Sequence, residues 1–133
     1  MSSMISSCYS LKELNLNTWD ASNWNITSAN FGLSGLFSIT SLIFPSNMDM
    51  SSITSSVSFS ANSSSLLNLG NISQYVSHSY STLYYLTSTC LKNILKDLPT
   101  VSSTKTITLG SLNKLKLTAE DFAVATNKGW TVA

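Results

Sequence analysis

His78 is the one histidine of the chain and the natural place to look for a general base. Such a base needs a hydroxyl or thiol to activate and a third group to orient its ring. Serine occurs almost everywhere here, so no single hydroxyl is marked as its partner. A surface or loop histidine is the reading the sequence favours. The six acids, Glu13, Asp20, Asp49, Asp97, Glu120 and Asp121, are scattered. A glycosidase pair or a calcium cage needs carboxylates that converge. Glu120 and Asp121 are accounted for by a helix start, and Asp20 by a turn. No glycine-rich phosphate loop is present. Cys8 and Cys90 follow no metal or redox spacing. They read as two partly buried thiols in repeat positions, or as a bridge requiring the ends of a stack to touch. No catalytic residue, metal or cofactor is expected.

Recognition is the chemistry that remains. Asn25-Ile26-Thr27, Asn62-Ser63-Ser64 and Asn71-Ile72-Ser73 fit the glycosylation acceptor pattern, which arises readily by chance in so polar a chain. On short strands whose alternate residues point inward, the flanking residues face out. That puts Glu13, Asn15, Ser41, Ile43, Asn68, Tyr85, Thr87, Thr106 and Thr108 on one exposed sheet face. Asn15, Ser41, Asn68, Tyr85, Thr87, Thr106 and Thr108 are the candidate binding residues. Tyr75, Tyr80, Tyr84 and Tyr85 either add rigid contact area to that face or replace core leucines.

The strands that must carry these residues come from an irregular repeat. Ser-Leu-Lys-Glu-Leu-Asn-Leu at 10–16 is echoed at 38–44, 65–70 and 82–87. Leu11, Ile39, Leu66 and Leu83 lead these segments at steps of 28, 27 and 17 residues. Residues 105–109 preserve the end of the pattern. An L-x-x-L-x-L spacing is that of a leucine-rich repeat. The connectors are rich in Ser, Asn and Thr. Asp20 and Asn23 supply turn chemistry between Trp19 and Trp24, which can pack beneath the return path. Pro45-Ser46-Asn47 ends the second strand. Asp49-Met50-Ser51-Ser52-Ile53 echoes Met1-Ser2-Ser3-Met4-Ile5. Val57 and Phe59 favour an ordered connector over a linker in the serine-rich segment 55–65.

Leu91, Ile94, Leu95 and Leu98 form the stripe of an amphipathic helix that Ser88 or Thr89 caps and Pro99 stops. A loop from Gly110 to Lys116 follows, tethered by Leu112, Leu115 and Leu117. Thr118 to Trp130 is a lid helix. Thr118 is its N-cap, Glu120 and Asp121 fill its first turn, and Leu117 and Phe122 have staple spacing. Lys128 sits in the last turn, Gly129 suits the left-handed position after the helix, and Trp130 can fold back onto Ala125.

The chain has 133 residues, 43% apolar and only 10% charged, where about 25% is usual. Seven lysines, no arginine and a formal charge of +1 argue against nucleic-acid binding. No apolar run is long enough to cross a membrane, and no secretory leader pattern begins the chain. One domain is expected over 1–133, with repeats at 1–117 and a cap at 118–133.

The segments Met1 to Leu11, Trp19 to Asn23, Thr106 to Gly110 and Thr118 to Ala133 together resemble the BspA-like leucine-rich repeats of bacterial surface proteins and of phages that borrow them. Residues 46–82 depart from that pattern, as leucines thin out and tyrosines take over. The resemblance implies an extracellular adhesive or recognition role without enzymatic activity, on a cell surface or virion.

The expectation is therefore an α/β fold: a short, irregular leucine-rich-repeat solenoid with five strands in one parallel sheet and two helices near the C-terminus. Its partner is a protein or glycan met through the concave sheet. The alternative is a structural component of a virion or fibre. With no cap ahead of the first strand, residues 1–11 are expected to abut another chain or segment.

Overall fold

The computed structural model describes residues 7–24, 36–54 and 65–133. In chain order these residues form β1 (Glu13–Asn15), β2 (Ser41–Ile43), β3 (Asn68–Gly70), β4 (His78–Ser79), α1 (Ser88–Asp97), β5 (Lys105–Thr108), α2 (Ser111–Lys114), α3 (Ala119–Thr126) and β6 (Trp130–Val132). The fold is mixed α/β. Its strands make two small parallel sheets, ordered β1-β2-β3 and β4-β5-β6.

The first sheet follows the leucine spacing. Leu14 lies beside Leu42, and Leu42 beside Leu69. Leu42 and Leu69 are buried and Leu14 is partly buried against the same core. A strand turns alternate side chains inward, so aligned leucines from successive strands share one apolar layer. Polar links repeat at the same step. Thr40 Oγ1 donates to Lys12 O, 28 residues earlier, and Asn68 Nδ2 to Ser41 Oγ, 27 residues earlier.

The turns that follow β1 and β2 also repeat. Asp20 accepts from Ser22 N and Asp49 from Ser51 N, each holding an Asx turn. These bonds hold both carboxyls below the usual aspartate range. Asn47 joins the two levels, donating to Asp20 Oδ1 at 2.8 Å and accepting from Ala21 N at 3.1 Å. The Asp49–Ile53 stretch thus matches Asp20–Trp24 in structure. Met1–Ile5, its echo in sequence, lies outside the described residues. Trp24 is partly buried against the core, whereas Trp19 is exposed.

The expected single sheet of five strands does not form. The edge of β3 is closed by the first turn of α1. Thr87 N donates to Leu67 O at 2.9 Å. The Cys90 thiol then takes both peptide groups of Leu69, accepting from its N–H at 3.2 Å and donating to its carbonyl at 3.4 Å. Residues 82–87 are turns instead of a strand, because Leu83 N bonds Tyr80 O and Leu86 N bonds Leu83 O. The amides of Leu83 and Leu86 are spent locally, although both side chains still fill the core.

The second sheet comes largely from segments with no strand period. His78 pairs with Ile107, and Ile107 with Val132. Of its strands only β5 was legible. The helix stripe holds, with Leu91, Ile94, Leu95 and Leu98 all buried. Its cap is Thr87, ahead of the expected Ser88 or Thr89, and its end falls at Leu98 before Pro99. α1 packs between β3 and α3, and α3 packs on β6. The lid carries the full capping box, with Thr118 Oγ1 accepting from Asp121 N and Asp121 Oδ2 accepting from Thr118 N.

Two C-terminal expectations change. The segment after Gly110 is the short helix α2, and Leu112 and Leu115 are exposed, Leu115 by 84%. The anchor is Asn113, fully buried, whose Nδ2 donates to Leu83 O and Leu109 O. Lys128 lies beyond the end of α3, and its ammonium reaches across to the carbonyls of Lys96 and Leu98, capping α1 instead. Trp130 is buried as the first residue of β6, with its indole N–H donating to Pro99 O at 2.7 Å.

Candidate functional site

The outward residues of the first sheet and the exposed face of α1 enclose a groove of about 360 Å³. Its sheet side carries Asn15 and Asn68 at strand positions, with Asn17 and Asn71 just beyond the strand ends. Ile43 and Gly70 pave the floor. The wall is Asn93, Lys96 and Asp97, spaced i, i+3 and i+4 and so on one side of the helix. One lysine and one aspartate leave the groove without net charge.

Several of these amides are held in place by the fold. Asn15 Oδ1 accepts from Asn17 N at 2.9 Å. Asn71 Nδ2 donates both to Asn17 Oδ1 at 2.9 Å and to Phe44 O at 2.8 Å. Asn71 also has φ of 57°, a left-handed conformation that asparagine tolerates better than most residues. Its nitrogen, the acceptor atom of the Asn71-Ile72-Ser73 pattern, is therefore engaged within the fold. Asn25 and Asn62 lie outside the described residues, as do Val57 and Phe59.

Of the expected binding residues, Asn15 and Asn68 line the groove and Ser41 bonds Asn68. Tyr85 is 61% exposed in the turn before α1. Thr87 belongs to the helix start, its hydroxyl accepting from Cys90 N. Thr106 and Thr108 sit on the second sheet, where Thr106 N bonds Ser77 Oγ and Thr108 O accepts from Tyr80 N. A single face carrying all seven requires the single sheet, and the sheet divides. Asn93, Lys96 and Asp97 escaped the sequence reading, though the apolar stripe of α1 already implied a polar face opposite.

The tyrosines divide as well. Tyr75, Tyr84 and Tyr85 are exposed, while Tyr80 is wholly buried with its hydroxyl near Ile72 O and Gln74 Nε2. Burial pushes the Tyr80 phenol well above its ordinary range. His78 is no surface residue. It is buried in β4, edge-on to Tyr80 and Trp130, with Nδ1 donating to Val76 O at 2.7 Å. Its buried Nε2 has no partner among the described residues, and burial lowers its pKa, which favours the neutral ring. Cys8 and Cys90 are not bridged, and burial raises the Cys90 pKa. Among the described residues no three His, Cys, Asp or Glu side chains converge as a metal site. No described helix is long and apolar enough to cross a membrane.

No family model, curated protein or solved structure matches the chain.

Proposed function

We propose that this chain is a non-enzymatic recognition module of a cell surface or virion, built as a short, irregular leucine-rich-repeat solenoid. It binds a protein or glycan through the outward face of its first sheet. The aligned leucines at 14, 42 and 69 and the matched turns at Asp20 and Asp49 support the repeat reading. The observation that carries the function is the groove itself, where Asn15, Asn68, Asn71 and Asn93 converge on a polar, charge-balanced hollow. Its size lies within the range of about 300–1,000 Å³ usual for ligand sites. Uncharged amides that both donate and accept suit binding more than bond cleavage.

The test is binding of the fluorescently labelled chain to whole cells and to protein and glycan arrays. Signal is expected to fall with Asn15→Leu/Asn68→Leu and to persist with Thr106→Val on the second sheet. Equal signal from both variants would overturn the reading.

A second reading, a structural component docking through its N-terminal side, is favoured by one observation. Tyr9 and Phe37 stack at 5.4 Å near the β1 edge while exposed by 57% and 52%. Exposed aromatics in contact mark interaction surfaces. Co-purification in a large particle that Tyr9→Ser/Phe37→Ser abolishes, with no free ligand binding, would support it.

A further inference from the structure

We infer that the groove between the first sheet and α1 takes a neutral oligosaccharide; this inference rests on the recognition reading above and names its ligand. Five asparagines line the groove, and among the described residues each keeps a polar group to spare. Asn71 gives its amide hydrogens to Asn17 and Phe44, so its Oδ1 remains as an acceptor, and Asn17 keeps its Nδ2 as a donor. Asn15 is bound through Oδ1 and keeps its Nδ2, while Asn68 donates to Ser41 and keeps its Oδ1. Spare donors therefore lie on the β1 side of the hollow and spare acceptors on the β3 side. A sugar hydroxyl donates one bond and accepts others, so a row of hydroxyls satisfies both kinds of group at once.

The other ligand classes fit less well. An anion meets the Asp97 carboxylate beside the one cation, Lys96. An extended peptide would add to a sheet edge, but the β3 edge is already taken by Thr87 N and the Cys90 thiol. An apolar ligand would strand the amides, at a cost of about 1–3 kcal/mol for each buried group left unpaired. The floor suits the C–H face of a sugar ring, because Ile43 lies across Gly70 with no Cβ beneath it. Asn15 on β1 and Asn68 on β3 stand two strand spacings apart and two residues out of step along the strands, roughly 12 Å in all. A ligand bonding both is longer than one sugar ring. The amides are also pre-ordered by their own bonds, which reduces the entropy lost on binding.

The experiment presents the full chain to an array of neutral and acidic glycans and to a protein array. The strongest neutral glycan is then titrated in solution. Binding is expected to weaken about tenfold or more with Asn68→Leu and with Asn93→Ala, both surface changes, and to hold with Thr106→Val. It is expected to change little between about 0.05 and about 0.5 M salt, since screening touches only charge pairs. Binding confined to acidic glycans and lost in salt would overturn the neutral-sugar assignment. A protein ligand lost with Asn68→Leu, with no glycan bound, would overturn it and leave the recognition reading standing. No ligand sensitive to Asn68→Leu on either array would remove both.

Discussion

Asn71 Nδ2 donates to Asn17 Oδ1 across 54 residues of chain, and on the way it also bonds the carbonyl of Phe44. One side chain thus ties together the ends of β1, β2 and β3. Replacing it by alanine removes two hydrogen bonds and places a Cβ-bearing residue at φ of 57° without the local polar compensation asparagine supplies. Asn71→Ala should cost about 2–3 kcal/mol in urea unfolding. Asn71→Gly keeps the backbone conformation at no steric cost and should cost about 1–2 kcal/mol, the hydrogen bonds alone. Equal losses would mean that backbone strain plays no part.

His78 sets a pH dependence whose direction follows from its burial. Its pKa is lowered from 6.5 in the folded chain, so the unfolded state takes up a proton first as pH falls. The His78 contribution is therefore level above about pH 6.5 and declines below it, by at most ~1.4 kcal/mol per pH unit for one group. The aspartates act lower down. Asp20, Asp49 and Asp121 have depressed pKa values, so what they contribute is present above 3.8 and lost as pH falls through their folded values. His78→Leu should flatten the unfolding midpoint between about pH 7 and about pH 5 and leave the more acidic loss in place. An unchanged slope there would show that the imidazole is not the titrating group.

What could be read in advance followed from how long each pattern runs. The leucines at 14, 42 and 69 recur at nearly equal steps, so their register in the first sheet was legible. α3 was legible because Thr118, Asp121 and Gly129 are start and stop signals with their own chemistry. β4 and β6 were not, because strands of two and three residues are too short to show alternation. The loss of the expected fourth strand at 82–87 was hidden in the short step to Leu83, which leaves room for turns and a helix cap but no full repeat. At the candidate site, Asn15 and Asn68 were legible as outward strand residues. Their neighbours Asn93, Lys96 and Asp97 required knowing that α1 lies against β3. Asn113 carried no signal at all, since a buried asparagine is defined by the carbonyls that surround it.

The thiol of Cys90 stands where a neighbouring strand would supply peptide groups to Leu69. Cys90→Ala leaves a buried N–H and a buried C=O unpaired and should destabilise the chain by about 1–3 kcal/mol. Cys90→Ser restores a donor and acceptor at nearly the same place and should recover part of that loss. Amide exchange at Leu69 gives the local readout, fast in the alanine variant and slower in the serine one. If exchange at Leu69 were equal in all three proteins, the thiol would not be what closes this edge.

Gly129 and Gly70 both meet a close neighbour, yet they should respond differently to the same substitution. Gly129 has φ of 89°, and an added Cβ would lie 2.8 Å from Val101 O and 3.1 Å from Val101 Cγ2. That carbonyl belongs to a segment fixed on both sides, with Val101 N bonded to Lys128 O and Lys105 N to Gly129 O. Neither the backbone angle nor the neighbour can yield, so Gly129→Ala should cost about 2–4 kcal/mol. Gly70 has no such angle, and its Cβ would meet Ile43 Cδ1 at 2.8 Å, the far end of a side chain that can rotate. Gly70→Ala should therefore cost less than about 1.5 kcal/mol in stability. It should instead weaken the proposed glycan binding, because the displaced isoleucine moves over the groove floor. Unfolding midpoints and binding measured on both variants separate the two effects. A large stability loss at Gly70 with none at Gly129 would contradict both assignments.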